Sequence, residues 1–261
     1  MSSVLNNNLS LKKLGFSTIV VPNKVRREIE DSIKISLQKK LYQNIDKKFI
    51  WDFSKLSNII VKLSDINFTK FLGNNLSRYL DVEVSQTINE WIKKKPFKFN
   101  SKKTSLHYPR ITDVQNSNYL AAKQFVSYYR CVRPNKNDVS YPHRDIDFWK
   151  LERHDNIKGP FKKKLIYKVW IPIYGCNNQN SLRLISKSHN KHIKISYKKK
   201  DGFLKPIVPE SFMKKEQLLI KQPIKDFKTQ GLIFDQKLVH FAPKNYNKKI
   251  RISVEFSVFS S

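Results

Sequence analysis

Residues 250–259 read Ile-Arg-Ile-Ser-Val-Glu-Phe-Ser-Val-Phe and alternate without a break. In an extended chain Ile250, Ile252, Val254 and Phe256 fall on one face, with Arg251, Ser253, Glu255 and Ser257 on the other. The apolar face asks for a core. The polar face has two readings. On an edge strand it would lie in water. On an inner strand Arg251 would be costly to bury unless it met an anion. Its planar fork suits a carboxylate, and Ser253 two residues on can donate to the same group.

Upstream of this strand, short apolar or alternating segments recur after about residue 105: Phe125 to Val132, Leu165 to Tyr174, Leu182 to Ile185, Leu218 to Lys221 and Gly231 to Phe234. Turns rich in Asn, Pro and Lys separate them. The earlier part of the chain has a different period. A short helix end and a strand stopped at Pro22 lead into Asn23 to Tyr42, where Val25, Ile29, Ile33, Ile35 and Leu37 are spaced for an amphipathic helix. Residues 55 to 95 give further helices. The expected fold is therefore mainly β with flanking α: a double-stranded β-helix, or jelly roll, of the cupin kind over 105–261, backed by a mostly helical part over 1–104. No linker divides the two parts, so 1–261 reads as one domain.

Bulk composition narrows the function. The 261 residues include 17 Phe, 11 Tyr and 4 Trp, ample for a packed core, and only 6 Gly, which disfavours a phosphate-cradling glycine loop. No basic segment followed by an apolar one opens the chain, and no apolar run reaches the roughly 18 residues that a membrane helix needs. Cys131 and Cys176 read as two reduced, buried thiols, which together with the missing leader gives a cytoplasmic expectation. The net charge of +30, from 51 Lys and Arg against 21 Asp and Glu, raises nucleic acid as a partner. The lysines are spread in short runs, however, and Asn and Ile are abundant too, as AT-rich coding imposes. Diffuse charge gives adhesion without base readout, so a small acidic molecule is the better-matched partner and no specific nucleic acid is expected.

The chemistry-bearing residues are histidines. Of the six, at 107, 143, 154, 189, 192 and 240, only His143 has a carboxylate two residues on, in Tyr-Pro-His143-Arg-Asp145-Ile-Asp147. In an extended segment His143 and Asp145 would share a face and converge on one ion. Two imidazoles and a carboxylate with open positions suit non-haem Fe(II), which must also accept a co-substrate and dioxygen. His240, after the strand at 231–234, is the candidate third ligand. Asp147 is assigned a supporting place beside Asp145, and Asp235 a turn. His189 and His192 are assigned a rim or structural place, and His107 and His154 nothing.

The order His-x-Asp, then His, then Arg-x-Ser resembles the Fe(II)- and 2-oxoglutarate-dependent dioxygenases, and among them the phytanoyl-CoA dioxygenase-like family. The likeness covers most of the chain. Leu14-Gly-Phe-Ser-Thr-Ile-Val is similar to the family's opening element, and Leu165 to Tyr174 to the strand after its metal motif. Asn180-Ser-Leu-Arg-Leu-Ile-Ser-Lys-Ser-His189 resembles its Gly-Ser-Leu…Pro-Gly-Ser-His segment. Asn180 there replaces a usual Gly, and Ser186-Lys187 replaces Pro-Gly. The stretch from Phe148 to Lys164 is longer than usual and reads as a lid or substrate loop.

The resemblance implies that His143, Asp145 and His240 hold Fe(II), and that Arg251 with Ser253 grips the far carboxylate of 2-oxoglutarate. Trp170 matches a family aromatic beside the co-substrate. Lys168 on the same face is a second contact, and Tyr129 on the strand before the metal motif is another. The implied reaction oxidises a small organic substrate, by hydroxylation in the default case, using O2 and releasing succinate and CO2. A carboxylate at position 145 argues against a halogenase, which needs that position vacant. The abundant cationic and aromatic side chains are compatible with an anionic or glycosylated substrate. Two rival readings are a nucleic-acid demethylase of the same superfamily and a non-catalytic cupin-like binding module. The demethylase branch carries a second Arg six residues after the first, where this chain has Ser257.

Overall fold

A computed structural model describes residues 10–42, 50–73, 78–94, 104–106, 127–139, 141–151, 165–200 and 203–260. After a helical turn at 10–14, β1 (Phe16–Val20) leads to four helices: α1 (Asn23–Leu41), α2 (Phe53–Ile60), α3 (Asp65–Leu72) and α4 (Val82–Lys93). Then come β2 (Thr104–Leu106), β3 (Tyr128–Val132), α5 (Asp145–Leu151), β4 (Leu165–Tyr174) and β5 (Arg183–Ile185). The chain continues through β6 (Ser196–Lys200), β7 (Phe203–Ile207), α6 (Glu210–Lys215), β8 (Ile220–Lys221), β9 (Gln230–Asp235), β10 (His240–Phe241) and β11 (Arg251–Ser260).

The helices start and stop where local chemistry allows. Pro22 precedes α1, Asp52 caps α2 by accepting from Lys55 N at 2.8 Å, and Ser64 caps α3 by accepting from Asn67 N at 3.2 Å. Along α1, Val25, Ile29, Ile33 and Leu37 recur every fourth residue and are all buried.

The main sheet runs β1-β9-β4-β11-β2, antiparallel throughout, with β3 also paired to β11 beyond β2. A second sheet runs β10-β5-β8. Strand parity divides the core into two layers. Tyr167, Val169 and Ile171 of β4 and Ile252, Val254 and Phe256 of β11 pack on Ile29, Ile33, Leu56, Ile60, Ile88 and Ile92 of the helices. Trp170 of β4 faces the opposite way, among Phe16, Leu182, Leu184, Leu232, Phe234 and Leu238 between the sheets. Each fully buried aliphatic side chain contributes about 1.5–3 kcal/mol, so the helical layer makes a full-sized core with the sheet. Two facing antiparallel sheets with helices behind the larger one are the expected double-stranded β-helix.

Among the elements, the structure decides one open reading and departs from expectation in two places. The strand at 250–259 is no edge: β11 lies between β4 on one side and β2 and β3 on the other, and Arg251 is 3% exposed. The solvated reading of its polar face therefore falls. A hairpin, β6 with β7, lies between β5 and β8, where the sequence offered no candidate strand. Its Ser-Tyr-Lys-Lys-Lys strand is almost entirely polar, so no alternation announces it. The start of the expected lid, Phe148 to Leu151, completes α5; residues 152–164 lie outside the described residues. Among the described residues no helix is long and apolar enough to cross a membrane.

Candidate metal centre

The two candidate histidines are joined by their own backbones. His143 N donates to His240 O at 3.1 Å and His240 N to His143 O at 3.0 Å, an isolated antiparallel bridge that sets the two rings 4.4 Å apart. Asp145 reaches the same point by a route the sequence did not suggest. It opens α5 instead of continuing an extended strand, so the turn between strand and helix, and not strand parity, brings its carboxylate round. Arg144 stabilises that turn through a bidentate pair with Asp147, Nε–Oδ2 2.7 Å and Nη2–Oδ1 2.8 Å. Ile146 N adds a bond to Gln236 O at 3.1 Å, in the loop before His240.

The ligand atoms of His143, Asp145 and His240 lie within 4.8 Å of one another, and all three residues are buried. His240 Nε2 stands 3.6 Å from Asp145 Oδ2. Each imidazole is oriented through its other nitrogen: His143 Nδ1 is 2.6 Å from Tyr141 O and His240 Nδ1 is 3.0 Å from Leu238 O. A carbonyl only accepts, so Nδ1 carries the proton in both rings and each Nε2 keeps a lone pair for a metal. Burial, reinforced by His240 and opposed by Asp145, pulls the His143 pKa down to about 4, so the ring is neutral near pH 7 as a ligand must be. Phe148 packs edge-on to His143 at 5.2 Å and Phe234 lies 4.8 Å from His240, shielding the rings. Two imidazole nitrogens and one carboxylate oxygen, converging and already oriented, fit a divalent ion of the Fe(II) kind bonded at about 2 Å.

The remaining predicted residues divide by strand face. Lys168 and Trp170 share one face of β4, and Arg251 and Ser253 share the matching face of β11; all four are buried. Arg251 Nη1 donates to the carbonyl of Asn180 and, at 3.4 Å, to Pro243 O. Tyr129 is not brought to this side. It packs in the helical layer with its hydroxyl 3.1 Å from Ser36 Oγ of α1, because β3 runs one residue out of the expected phase. Tyr128 takes the inner side instead.

Tyr128 belongs to a network that sequence reasoning missed. Its hydroxyl donates to Glu255 Oε2 at 2.9 Å, while Arg130 Nε donates to Glu255 Oε1 at 2.7 Å. Burial alone would raise the Glu255 carboxyl, but Arg130 and then Lys168 hold it below the usual carboxylate range despite the nearby charge of Asp145. The alternation at 250–259 had placed Glu255 on the polar face and gave no sign of its partners.

The other histidines stand apart. His189 Nε2 is 3.3 Å from Lys12 O, and His192 is exposed. His189 packs beneath Gly15, whose φ of +87° turns the chain into β1; a Cβ there would lie 2.4 Å from His189 Nδ1. His107 and His154 lie outside the described residues. Asp235, expected in a turn, is the last residue of β9 and starts the turn after it by accepting from Lys237 N at 2.7 Å.

Both departures from the family's turn motif have a local account. Asn180 needs no positive φ; its amide donates to Gly175 O at 2.8 Å and Asn245 Oδ1 at 2.9 Å, tying the β4–β5 turn to the segment before β11. Lys187 is left-handed, φ +64°, where the family has Gly. Its side chain is exposed and its N–H bonds Leu14 O at 2.8 Å, a bond Gly would keep. Lys187→Gly is expected to stabilise the protein by about 0.5–1 kcal/mol, raising the thermal midpoint by roughly 2 °C. An unchanged or lower midpoint would refute strain at this turn.

A double-stranded β-helix with two buried histidines and one aspartate converging on a single point defines a two-His, one-carboxylate metal-site architecture. Among solved structures, EctD from S. alaskensis with bound Fe has a similar fold: TM-score 0.58 and 11% identity, over 100% of this chain and 77% of that one. EctD with 2-oxoglutarate and 5-hydroxyectoine gives a TM-score of 0.53 and 12% identity over 100% and 76%. No family model matches the sequence, and no curated protein does. At these identities the likeness establishes the fold.

Proposed function

We propose that the chain, acting as one domain over 1–261, is an Fe(II)- and 2-oxoglutarate-dependent dioxygenase that hydroxylates a small organic substrate. The observation that carries this reading is the buried triad, whose ligand atoms lie within 4.8 Å of one another, with His240 Nε2 3.6 Å from Asp145 Oδ2. The EctD structures with Fe and with 2-oxoglutarate, on the same fold, support it. Bound there, the metal with 2-oxoglutarate and O2 would supply the oxidising power, with succinate and CO2 as co-products.

The chain's own part is positioning. His143, Asp145 and His240 would hold the metal, a three-donor set that leaves positions for co-substrate and O2. Arg251 and Ser253 hold the far carboxylate of 2-oxoglutarate, Trp170 walls its carbon chain, and Lys168 adds a second cation. Phe148 and Phe234 keep water from the ligand rings. The abundance of cationic and aromatic side chains in the chain supports a primary substrate with an anionic or glycosylated group. The two free cysteines agree with a cytoplasmic setting.

The test is succinate release from 2-oxoglutarate by wild-type protein with Fe(II) and O2, alongside calorimetric titration of 2-oxoglutarate with and without Mn(II). Metal-dependent binding and uncoupled succinate formation are expected. Absence of both would end the enzyme reading and leave a non-catalytic binding module.

A further inference from the structure

Two buried donors near the start of β11 lack acceptors. Ser181 is 0% exposed and its Oγ has no hydrogen-bond partner; Arg251 is 3% exposed and its Nε has none. They are neighbours, since Arg251 Nη1 donates to the carbonyl of Asn180, the residue before Ser181. The backbone that carries Ser181 is fixed. Its own N–H bonds Asn177 O at 3.0 Å, and Asn180 is held by Asn177 N on its Oδ1 and by Gly175 and Asn245 on its amide. Leaving such groups unsatisfied is expensive, and more so for one on a charged side chain. A guanidinium only donates, so what completes this site must be an acceptor, and a carboxylate offers two oxygens.

We propose that Ser181 is a further co-substrate-binding residue, its hydroxyl donating to the far carboxylate of 2-oxoglutarate beside Arg251. The inference rests on the functional reading above. It adds a contact from the β4–β5 turn to those from β11, so that the carboxylate is gripped from a strand and a turn. Ser181 is then free of a protein partner because its partner arrives with the ligand.

Calorimetric titration of Mn(II)-loaded wild type and Ser181→Ala with 2-oxoglutarate and with pyruvate tests it. Pyruvate keeps the keto acid but lacks the far carboxylate. The variant is expected to bind 2-oxoglutarate about tenfold more weakly or worse, and pyruvate as wild type does. Its metal-free thermal midpoint should be unchanged or higher, because an unsatisfied buried hydroxyl has been removed. Equal 2-oxoglutarate affinity in the two proteins would overturn the proposal, leaving a buried water as the partner. An equal loss for pyruvate would also overturn it, since the residue would then act on the metal end or on the fold. Wild type that binds no 2-oxoglutarate overturns the functional reading and this inference together.

Discussion

His143→Ala should abolish metal-dependent succinate formation. The variant keeps the backbone bridge to His240, which does not depend on the ring, so the sheets stay joined. It loses one of three metal ligands, and His240 and Asp145 cannot alone hold an ion against water. Loss of a mere supporting partner of a metal ligand costs 10–100-fold in affinity or activity, so loss of the ligand should exceed about a hundredfold. The space left by the imidazole costs roughly 2–4 kcal/mol of stability, which makes a melting curve a necessary control. Metal content after dialysis and the succinate rate are the measurements. A folded variant that keeps more than about a tenth of wild-type turnover would remove His143 from the centre.

Arg251→Ala is expected to act on the co-substrate and spare the metal. The guanidinium is buried on an inner strand face, so a carboxylate meeting it would be desolvated, and truncating one partner of such a pair costs about 2–5 kcal/mol. That corresponds to a roughly thirtyfold or greater rise in the apparent Michaelis constant for 2-oxoglutarate. Arg251 also clamps the carbonyls of Asn180 and Pro243, so about 1–3 kcal/mol of stability should go with it. Arg251→Lys separates the two effects, because it keeps the charge and loses the fork. Metal affinity is expected to stay within a few-fold, and pyruvate binding with it. A variant whose 2-oxoglutarate affinity matches wild type would place the co-substrate elsewhere on the inner face, with Lys168 the next candidate.

How far the sequence could be read depended on whether a local pattern matched the physics that decided it. The helix Asn23–Leu41 was legible because one face alone is buried, so its aliphatics recur every fourth residue. β11 was legible because its faces meet different media: one meets the helical layer, the other the polar interior. β3 was not, because Tyr128-Tyr-Arg-Cys-Val132 puts an aromatic or aliphatic side chain on both faces, and either phase looks plausible until the pairing with β11 is known. Tyr129 was misplaced for that reason. The β6–β7 hairpin was invisible because it is held by backbone bonds between polar residues.

The candidate centre divides in the same way. Residue types and chain order (His-x-Asp, His, Arg-x-Ser) are properties of the sequence, and they were enough to name a ligand set, because metal affinity depends on donor chemistry. What the tertiary structure alone decided is orientation and burial. It turned Asp145 inward from the first turn of a helix, locked both Nδ1 atoms onto carbonyls, paired Glu255 with Arg130 and Tyr128, and left Ser181 and Arg251 Nε without acceptors. Those depend on which distant segments meet and on how much water they exclude, quantities that no spacing along one chain contains. The strand at 250–259 shows both halves: its alternation put Arg251 and Ser253 on one face, and only its position between β4 and β3 made that face an interior.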